Sequence, residues 1–428
     1  MRSNRLLPLF ILFLTLGLLA GCGGHGGGSS SGSSSSSSSC STPAVIALPN
    51  GSSVTQAPAN NVMTLTVNGS TCSAAFNAVY PDKPCVSVTI CDGSGNNCQS
   101  IDDILLDTGD NGLRIFRQVL NAGLLSALEN GSNPYECVEY GDGSTVWGQV
   151  ATARVTLGGE TPVQVPIQVI GSSTSDAKSG GGHWCTNQLS TVNDAGYNGS
   201  LGLGVFAQDC GSACQGSPNN GLYFTCNGVT CSEISMATIN QVANPVASLG
   251  TDKNGVIVSL PTVPSTGAAS ASGYVILGIG TQSNNIPSGV TAYGANGGNH
   301  FGSFTTTFNG GVDQGFLDTG SNGIFFNYST TKTSDGNFYA PSCTLSLSAT
   351  NTGTSNAPNQ GAVPFQIADA DTLFGSGNNV FFNLGGPIPD NEFDWGLPFF
   401  LGRNVYIGIE NTLSTINSVP VTGPFWAY

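Results

Sequence analysis

The chain has 428 residues, more than one ordinary domain needs, so two domains or lobes are expected. It contains 60 Gly, 22 Pro and only 8 % charged residues, a composition that favours an all-β fold of short strands joined by turns. Its formal net charge is −15, with only 10 Lys and Arg. This balance excludes nucleic acid as a partner, because so few cations could not neutralise a run of phosphates.

The first elements in the chain are an export signal and a tether. Arg2 and Arg5 precede an apolar stretch, residues 6–19, which is short for a transmembrane helix. Leu-Ala-Gly-Cys then resembles a bacterial lipoprotein signal cut before Cys22, which predicts a signal peptide over residues 1–21 and a lipid on Cys22. The residue after this cysteine, a glycine, resembles outer-membrane sorting, so we expect a protein anchored in the cell envelope and facing the periplasm or exterior. An ordinary signal peptide is the alternative.

Residues 22–42 form a Gly/Ser-rich tether, which holds the folded part away from the membrane. Twelve of the 13 cysteines remain when Cys22 is set aside, and an even number in an exported chain predicts disulfides. The local pairs predicted by short spacing are Cys91–Cys98, Cys210–Cys214 and Cys226–Cys231. A zinc site built from the last four of these is the alternative. Cys343 is alone in the C-terminal third, so it bonds back to the first half or stays free.

Strands are predicted from about Pro43 onward. The first hairpin consists of residues 86–90 and 101–106, and its second strand ends at Asp107. Val and Ile content predicts further strands at residues 163–170, 255–261 and 273–280. The small-residue stretch Pro264–Gly273 is the predicted lobe boundary, which gives an N-terminal lobe over residues 43–263 and a C-terminal lobe over residues 264–428.

One loop occurs twice in the chain. ILLDTGDNGLRIF at residues 104–116 and GFLDTGSNGIFF at residues 315–326 share Asp-Thr-Gly, a variable residue, Asn-Gly and apolar flanks. A later apolar segment follows each loop at a similar interval, with Gly202 in the first half and Gly402 in the second. Two copies with shared flanks are far less probable by chance than one. A calcium-binding loop and a plain β-turn are the alternatives.

The repeated aspartates suggest a specific chemistry. Loops brought face to face would set Asp107 and Asp318 about 3 Å apart, where the two carboxyl groups share one proton. The ionised carboxylate can take a proton from water while the protonated one donates to a peptide carbonyl oxygen. The residues that would let the loops approach and hydrogen-bond each other are Thr108, Gly109, Thr319 and Gly320.

With these features in place, the sequence resembles the pepsin-like (A1-type) aspartic proteases. Residues 139–159 look like the flap hairpin of that family, with Tyr140 at the tyrosine that closes over the substrate, followed by Gly141, Asp142 and Gly143. Residues 198–204, 273–285 and 395–410 are similar to three further family segments. A surface aromatic on a hairpin is the alternative for Tyr140.

The resemblance covers about residues 43–428. It implies a bilobal architecture of two pseudo-two-fold related β-barrel-like lobes with a cleft between them. It also implies hydrolysis of extended polypeptides without a cofactor or a metal. The overall layout additionally resembles DUF3443, a family of uncharacterised bacterial lipoproteins.

The chain departs from the protease pattern beside the first aspartate. The family has Ser or Thr directly after Asp-Thr-Gly, and its hydroxyl donates to the catalytic carboxylate; Ser321 keeps this feature and Asp110 does not. An ionised Asp110 could only accept, so it is protonated, or it is neutralised by Arg114, or the site is inactive. Arg114 falls where the family has a Trp, and a gapless alignment places Pro398 at a Gly position.

The leading functional prediction is a lipid-anchored envelope endopeptidase in which Asp107 and Asp318 activate water against a polypeptide substrate. The alternative is a non-catalytic lipoprotein of the same fold that binds peptide or another ligand in the cleft. A carbohydrate-binding envelope protein is a third possibility, based only on the richness in Asn, Gly and Ser.

Overall fold

The computed structural model describes residues 59–76, 79–129, 133–172, 174–297, 302–388 and 391–428. The predicted signal peptide, the lipid attachment at Cys22 and the tether lie outside the described residues. Strands greatly outnumber helices in the described part of the chain. The predicted all-β class is therefore confirmed.

Fourteen strands form the first part of the described chain. They are β1 Val62–Val67, β2 Pro84–Cys91, β3 Cys98–Asp107, β4 Asn111–Phe116, β5 Tyr135–Glu139, β6 Thr145–Thr156, β7 Val163–Ile170, β8 Ala177–Lys178, β9 Gly199–Leu203, β10 Tyr223–Asn227, β11 Thr230–Glu233, β12 Gly255–Ser259, β13 Ala271–Leu277 and β14 Ala292–Gly294. The hairpin predicted at residues 86–90 and 101–106 lies within β2 and β3, and the other predicted strands coincide with β7, β12 and β13. These strand predictions are confirmed.

Twelve strands follow. They are β15 Phe304–Phe308, β16 Gly311–Asp318, β17 Ile324–Phe325, β18 Leu345–Thr352, β19 Thr354–Pro358, β20 Gln360–Ile367, β21 Gly385–Gly386, β22 Glu392–Gly396, β23 Asn404–Gly408, β24 Leu413–Ile416, β25 Val419–Thr422 and β26 Phe425–Ala427. The α-helices are short: α1 Ala122–Leu128, α2 Val192–Ala195, α3 Ser212–Gly216, α4 Ala370–Gly375 and α5 Leu397–Phe400. Single 3₁₀ turns occur at Ala74–Phe76, Arg117–Val119, Thr238–Asn240 and Pro245–Ser248.

The strands form two large sheets and one hairpin. Strands β1 to β14 join β19, β23 and β26 in a 17-stranded sheet, and β15 to β18 join β20, β21 and β22 in a 7-stranded sheet. Strands β24 and β25 pair only with each other. The predicted lobe boundary falls in the connection between β12 and β13, which are antiparallel neighbours.

Each half of the chain builds the same arrangement around its Asp-Thr-Gly loop. In the first half β3 runs parallel to β9, which is antiparallel to β4. In the second half β16 runs parallel to β22, which is antiparallel to β17. The residue opposite Asp107 is Gly202, and the residue opposite Asp318 is Gly396.

This register corrects one inference from the sequence. The counterpart of Gly202 is Gly396 and not Gly402, and Pro398 lies inside α5 rather than at a conserved glycine position. Gly402 comes after α5, where its positive φ of 79° suits a turn that glycine adopts readily. The interval along the chain could not show whether Gly396 or Gly402 lies opposite Asp318, because the two glycines lie close together in sequence on either side of α5.

The strands that carry the two aspartates enter the core at their C-terminal ends. Leu106 and Leu317, next to the aspartates, are fully buried, and both belong to one core cluster that spans the two halves. Phe393 and Trp395 of β22 join this core, with ring centroids 4.4 Å apart. Burial of each large apolar side chain stabilises the fold by about 1.5–3 kcal/mol, so the core holds both loops against movement.

Disulfides link residues mainly within the first half. The three predicted local pairs, Cys91–Cys98, Cys210–Cys214 and Cys226–Cys231, are confirmed, so the zinc alternative is wrong. Two further bonds were not predicted, namely Cys72–Cys85 and Cys137–Cys185. Cys343 also forms a disulfide and does not stay free.

Candidate active site

The two Asp-Thr-Gly loops meet where the halves of the chain contact each other. The backbone N–H of Thr108 donates to Thr319 Oγ1 at 3.1 Å, and the N–H of Thr319 donates to Thr108 Oγ1 at 3.0 Å. Each hydroxyl also donates across the contact, from Thr108 to the carbonyl oxygen of Leu317 at 2.9 Å and from Thr319 to that of Leu106 at 2.7 Å. The four bonds are reciprocal, so each loop fixes the position of the other.

The aspartate carboxyl groups lie directly against the opposite loop. A Cβ atom on Gly109 would be 2.6 Å from Cγ of Asp318, and one on Gly320 would be 2.8 Å from Cγ of Asp107. Real Cβ atoms do not approach other heavy atoms so closely, so any side chain at either glycine would displace a carboxyl group. Asp107 Oδ1 accepts from the N–H of Gly109 at 2.9 Å, so both carboxyl groups lie against the same glycine.

The two carboxyl groups differ in their hydrogen bonds. Asp318 accepts from the N–H of Gly320 at 2.7 Å on Oδ1 and from the hydroxyl of Ser321 at 2.9 Å on Oδ2. Asp107 accepts from the N–H groups of Gly109 at 2.9 Å and Asp110 at 3.0 Å, both on Oδ1. Only Asp318 receives a hydroxyl donor, and donors favour the ionised form of the acceptor.

Burial raises the pKa of Asp107 well above its usual value, and the negative charges of Asp318 and Asp110 raise it further. The carboxyl group is in fact only 8 % exposed. Together with the absence of a hydroxyl donor to it among the described residues, this favours the protonated form of Asp107.

Asp110 is neutralised by an ion pair. Its Oδ2 accepts from Nη1 of Arg114 at 2.6 Å, and its Oδ1 accepts from the N–H of Asn111 at 2.7 Å. Of the three outcomes that the sequence left open for Asp110, the ion pair supports neutralisation by Arg114; burial nevertheless raises the pKa of Asp110, and Arg114 opposes this effect. The side chain turns away from Asp107, to which only its backbone N–H donates.

Arg114 is the centre of a buried acidic cluster. Its guanidinium, 1 % exposed, also binds Glu136 of β5 at 3.1 Å and Asp209 at 3.2 Å. Three carboxyl groups therefore face one cation, which would leave two excess negative charges if all were ionised. Burial raises the pKa of Asp209 well above its usual value, and repulsion from Glu136 adds to this, so the protonated form of Asp209 is favoured.

The hairpin predicted as a flap is formed by β5 and β6. Its turn is closed by the N–H of Tyr140, which donates to the carbonyl oxygen of Ser144 at 2.8 Å, and Gly143 has a positive φ of 74°. The Asp142 carboxylate accepts from the N–H of Ser144 at 2.7 Å. Gly141 lies in the same turn.

The ring of Tyr140 is half-buried and packs against a cluster that includes Tyr80 and Tyr197. Burial raises the pKa of its hydroxyl; Arg114 opposes this effect, and the charges of Asp110 and Asp107 increase it. The side chain therefore lies within electrostatic range of the first aspartate.

Several residues at the site were not predicted from the sequence. Tyr80 donates its hydroxyl to the carbonyl oxygen of Gly320 at 2.8 Å and so ties the first half to the second loop. Asp394 of β22 is 1 % exposed, and burial raises its pKa well above the usual value, with Asp318 contributing. The sequence signal for Asp394 and Glu136 is an acid with an apolar residue on each side in a strand, which indicates a buried charged group.

These buried acids predict that the protein is more stable in acid than at neutral pH. Burial is the largest cause of a raised pKa at five aspartates: Asp82, Asp107, Asp110, Asp209 and Asp394. Between about pH 4 and the raised pKa values the folded state keeps protons that the unfolded chain has lost. Each such group then lowers the free energy of unfolding by about 1.4 kcal/mol per pH unit as the pH rises.

The measurement is the denaturation temperature from about pH 4 to about pH 8 at constant ionic strength. We expect it to fall with pH, and we expect Asp394→Asn to have a shallower slope while the exposed control Asp102→Asn keeps the wild-type slope. Asp92 and Asp335 have lowered pKa values, so they change the stability of the fold only below about pH 4, outside the measured range. A denaturation temperature that rises toward neutral pH would contradict the prediction.

The fold and the site together define an all-β protein in which two similar halves each contribute one aspartate to the same site. The chain belongs to the family described as protein of unknown function (DUF3443), whose model matches residues 57–428. No curated protein matches the chain. No helix in the described residues is long and apolar enough to cross a bilayer.

Proposed function

We propose that this protein is an aspartic endopeptidase of the pepsin-like, bilobal type, anchored in the bacterial cell envelope by a lipid on Cys22. The observation that carries the proposal is the placement of Asp107 and Asp318 against each other's loops, held by reciprocal bonds between Thr108 and Thr319. A shared proton is what acid and base catalysis by two carboxyl groups requires.

The asymmetry of the pair assigns the two roles. Asp318, which accepts from the Ser321 hydroxyl, is the base that removes a proton from the attacking water. Asp107, whose pKa is raised by burial, donates its proton to the carbonyl oxygen of the peptide. Water adds directly to the carbonyl carbon, so no covalent enzyme intermediate forms. When the tetrahedral intermediate collapses, Asp318 passes the proton it took from water to the leaving nitrogen, and Asp107 recovers its proton from the hydroxyl of the intermediate.

The substrate would be an extended polypeptide bound beneath the hairpin of β5 and β6. Tyr140 at the base of that hairpin lies within range of the charges on Asp107 and Asp110. A hairpin tip that moves over a bound peptide would exclude water from the carboxyl pair and strengthen the electrostatic interactions there. No cofactor takes part in this proposal.

A second candidate is a ligand-binding lipoprotein that uses the same cleft without catalysis. The observation that favours it is Asp110, whose side chain is paired with Arg114 and gives Asp107 no hydroxyl donor. Binding without cleavage would follow if Asp107 could not pass its proton to the peptide carbonyl oxygen.

The experiment is to incubate the purified protein with unfolded casein between about pH 3 and pH 7, with and without pepstatin. We expect cleavage that is strongest in acid and that pepstatin inhibits, because one proton must stay on the carboxyl pair for catalysis. Binding of pepstatin without cleavage would support the ligand-binding candidate. A protein that neither binds pepstatin nor cleaves casein would contradict both candidate functions.

A further inference from the structure

Arg403, remote from the Arg114 cluster, is a buried cation without an acidic partner among the described residues. It is 6 % exposed and follows α5 directly in the chain. The only hydrogen bond of its guanidinium within the described part of the chain goes from Nη1 to the carbonyl oxygen of Phe399, and its Nε has no partner there. An uncompensated buried charge destabilises a fold by several kcal/mol.

The contacts of Arg403 only partly offset this burial. Its Cζ lies 4.3 Å from the ring centroid of Phe399, a cation–π contact that contributes about 0.5–2 kcal/mol. Burial lowers the pKa of Arg403 to about 10, so the guanidinium remains protonated at neutral pH. Its charge must be balanced by a group that the described residues do not supply.

A small cavity lies beside this guanidinium. Its volume is about 10 Å³, close to the space that one water molecule needs. Arg403 lines one side, and the remaining wall is mainly apolar, formed by Ile324, Pro364, Phe365, Phe382 and Pro398, with the Gln366 amide as a further polar group. A cavity of this size has no room for sulfate or phosphate.

We propose that this cavity is a binding site for a small monovalent inorganic anion of about the size of chloride, held by Arg403. The anion would supply the missing counter-charge, and the apolar wall suits a single weakly hydrated ion. This inference does not depend on the proposed function.

Anion binding would also stabilise the second aspartate loop. The cavity includes Pro398 and Phe399 of α5, and the first residue of this helix, Leu397, donates its N–H to the carbonyl oxygen of Ser321 at 2.8 Å. Ser321 in turn donates to Asp318. An ion that fixes α5 therefore restricts the loop that holds Asp318.

The first experiment measures the denaturation temperature of the full chain in sodium chloride and in sodium gluconate at equal ionic strength. We expect chloride to raise it by a few degrees with saturation, and gluconate, which is too large for the cavity, to have only the non-saturating effect of screening. An equal response to both salts would overturn the proposal.

Arg403→Met distinguishes anion binding from a merely structural arginine. Removing an uncompensated charge while filling its space should raise the denaturation temperature in chloride-free buffer and abolish the chloride-specific shift. The matched control, Arg154→Met at an exposed arginine, should keep that shift. A variant that is less stable than wild type in chloride-free buffer and still responds to chloride would refute the site.

A measurement on the unmodified protein covers the case in which Arg403→Met does not fold. Crystals soaked in sodium bromide should show an anomalous scattering peak in the cavity beside the Arg403 guanidinium, because bromide replaces chloride in such sites. Peaks confined to the surface, with this cavity empty, would overturn the proposal.

Discussion

Replacing Asp107 by Asn is expected to reduce the turnover of casein at about pH 4 by at least ~10³-fold. An Asn side chain has nearly the same shape and can still accept from the N–H groups of Gly109 and Asp110, but it cannot pass a proton to the peptide carbonyl oxygen. The loss should therefore appear in kcat, with little change in KM, because the hydrogen bonds that position the loop remain. Initial rates over a range of casein concentrations separate the two constants.

The matched control is Asp102→Asn on the same strand. Asp102 is exposed, and its carboxylate binds only the Ser87 hydroxyl among the hydrogen bonds of the described residues, so this variant should cleave casein at the wild-type rate. Circular dichroism and thermal unfolding should show that both variants are folded. Undiminished cleavage by a folded Asp107→Asn protein would rule out the proposed chemistry at this carboxyl pair.

Replacing Arg114 by Met is expected to lower the free energy of unfolding by about 3–5 kcal/mol at neutral pH. The substitution leaves Asp110, Glu136 and Asp209 facing one another without a cation. Of these, Glu136 is fully buried and Asp209 nearly so, so water cannot take over the role of the guanidinium. Urea unfolding followed by tryptophan fluorescence gives the free energy.

Arg117→Met is the control for this variant. Arg117 pairs with Glu129 at 2.9 Å, but its side chain is 32 % exposed, and exposed ion pairs contribute about 0–1 kcal/mol. The destabilisation by Arg114→Met should also shrink at about pH 4, because protonation neutralises the acids that lost their partner. Equal effects of the two substitutions, or an effect independent of pH, would show that the cluster is not the electrostatic centre described above.

The local chain pattern was sufficient to predict much of the fold. Val and Ile runs predicted β7, β12 and β13 because extended, apolar segments form strands whatever their partners are. The disulfides between Cys91 and Cys98 and between Cys226 and Cys231 were predictable because short connections hold the sulfurs near each other. The pair Cys137 and Cys185 was not predictable, since sequence alone does not determine which distant cysteines meet.

The residues surrounding the carboxyl pair could not be predicted in the same way. Asp209 and Glu136 meet at Arg114 only because β5 and the segment after β9 converge there, and no spacing rule connects the three positions. The glycine opposite Asp318 was assigned wrongly for a related reason: the pairing of β16 with β22, rather than the interval along the chain, selects Gly396.

The sequence by itself determined that the chain is mostly β and carries two copies of an Asp-Thr-Gly loop, because strand formation and repetition are properties of neighbouring residues. The tertiary structure alone decided that Thr108 and Thr319 bind each other's loops, that Glu136 and Asp209 meet at Arg114, and that Arg403 is buried beside a cavity. Each of these features depends on residues that are distant in the chain and that come together only when the chain folds. Burial and charge compensation arise from such contacts, which the local sequence does not encode.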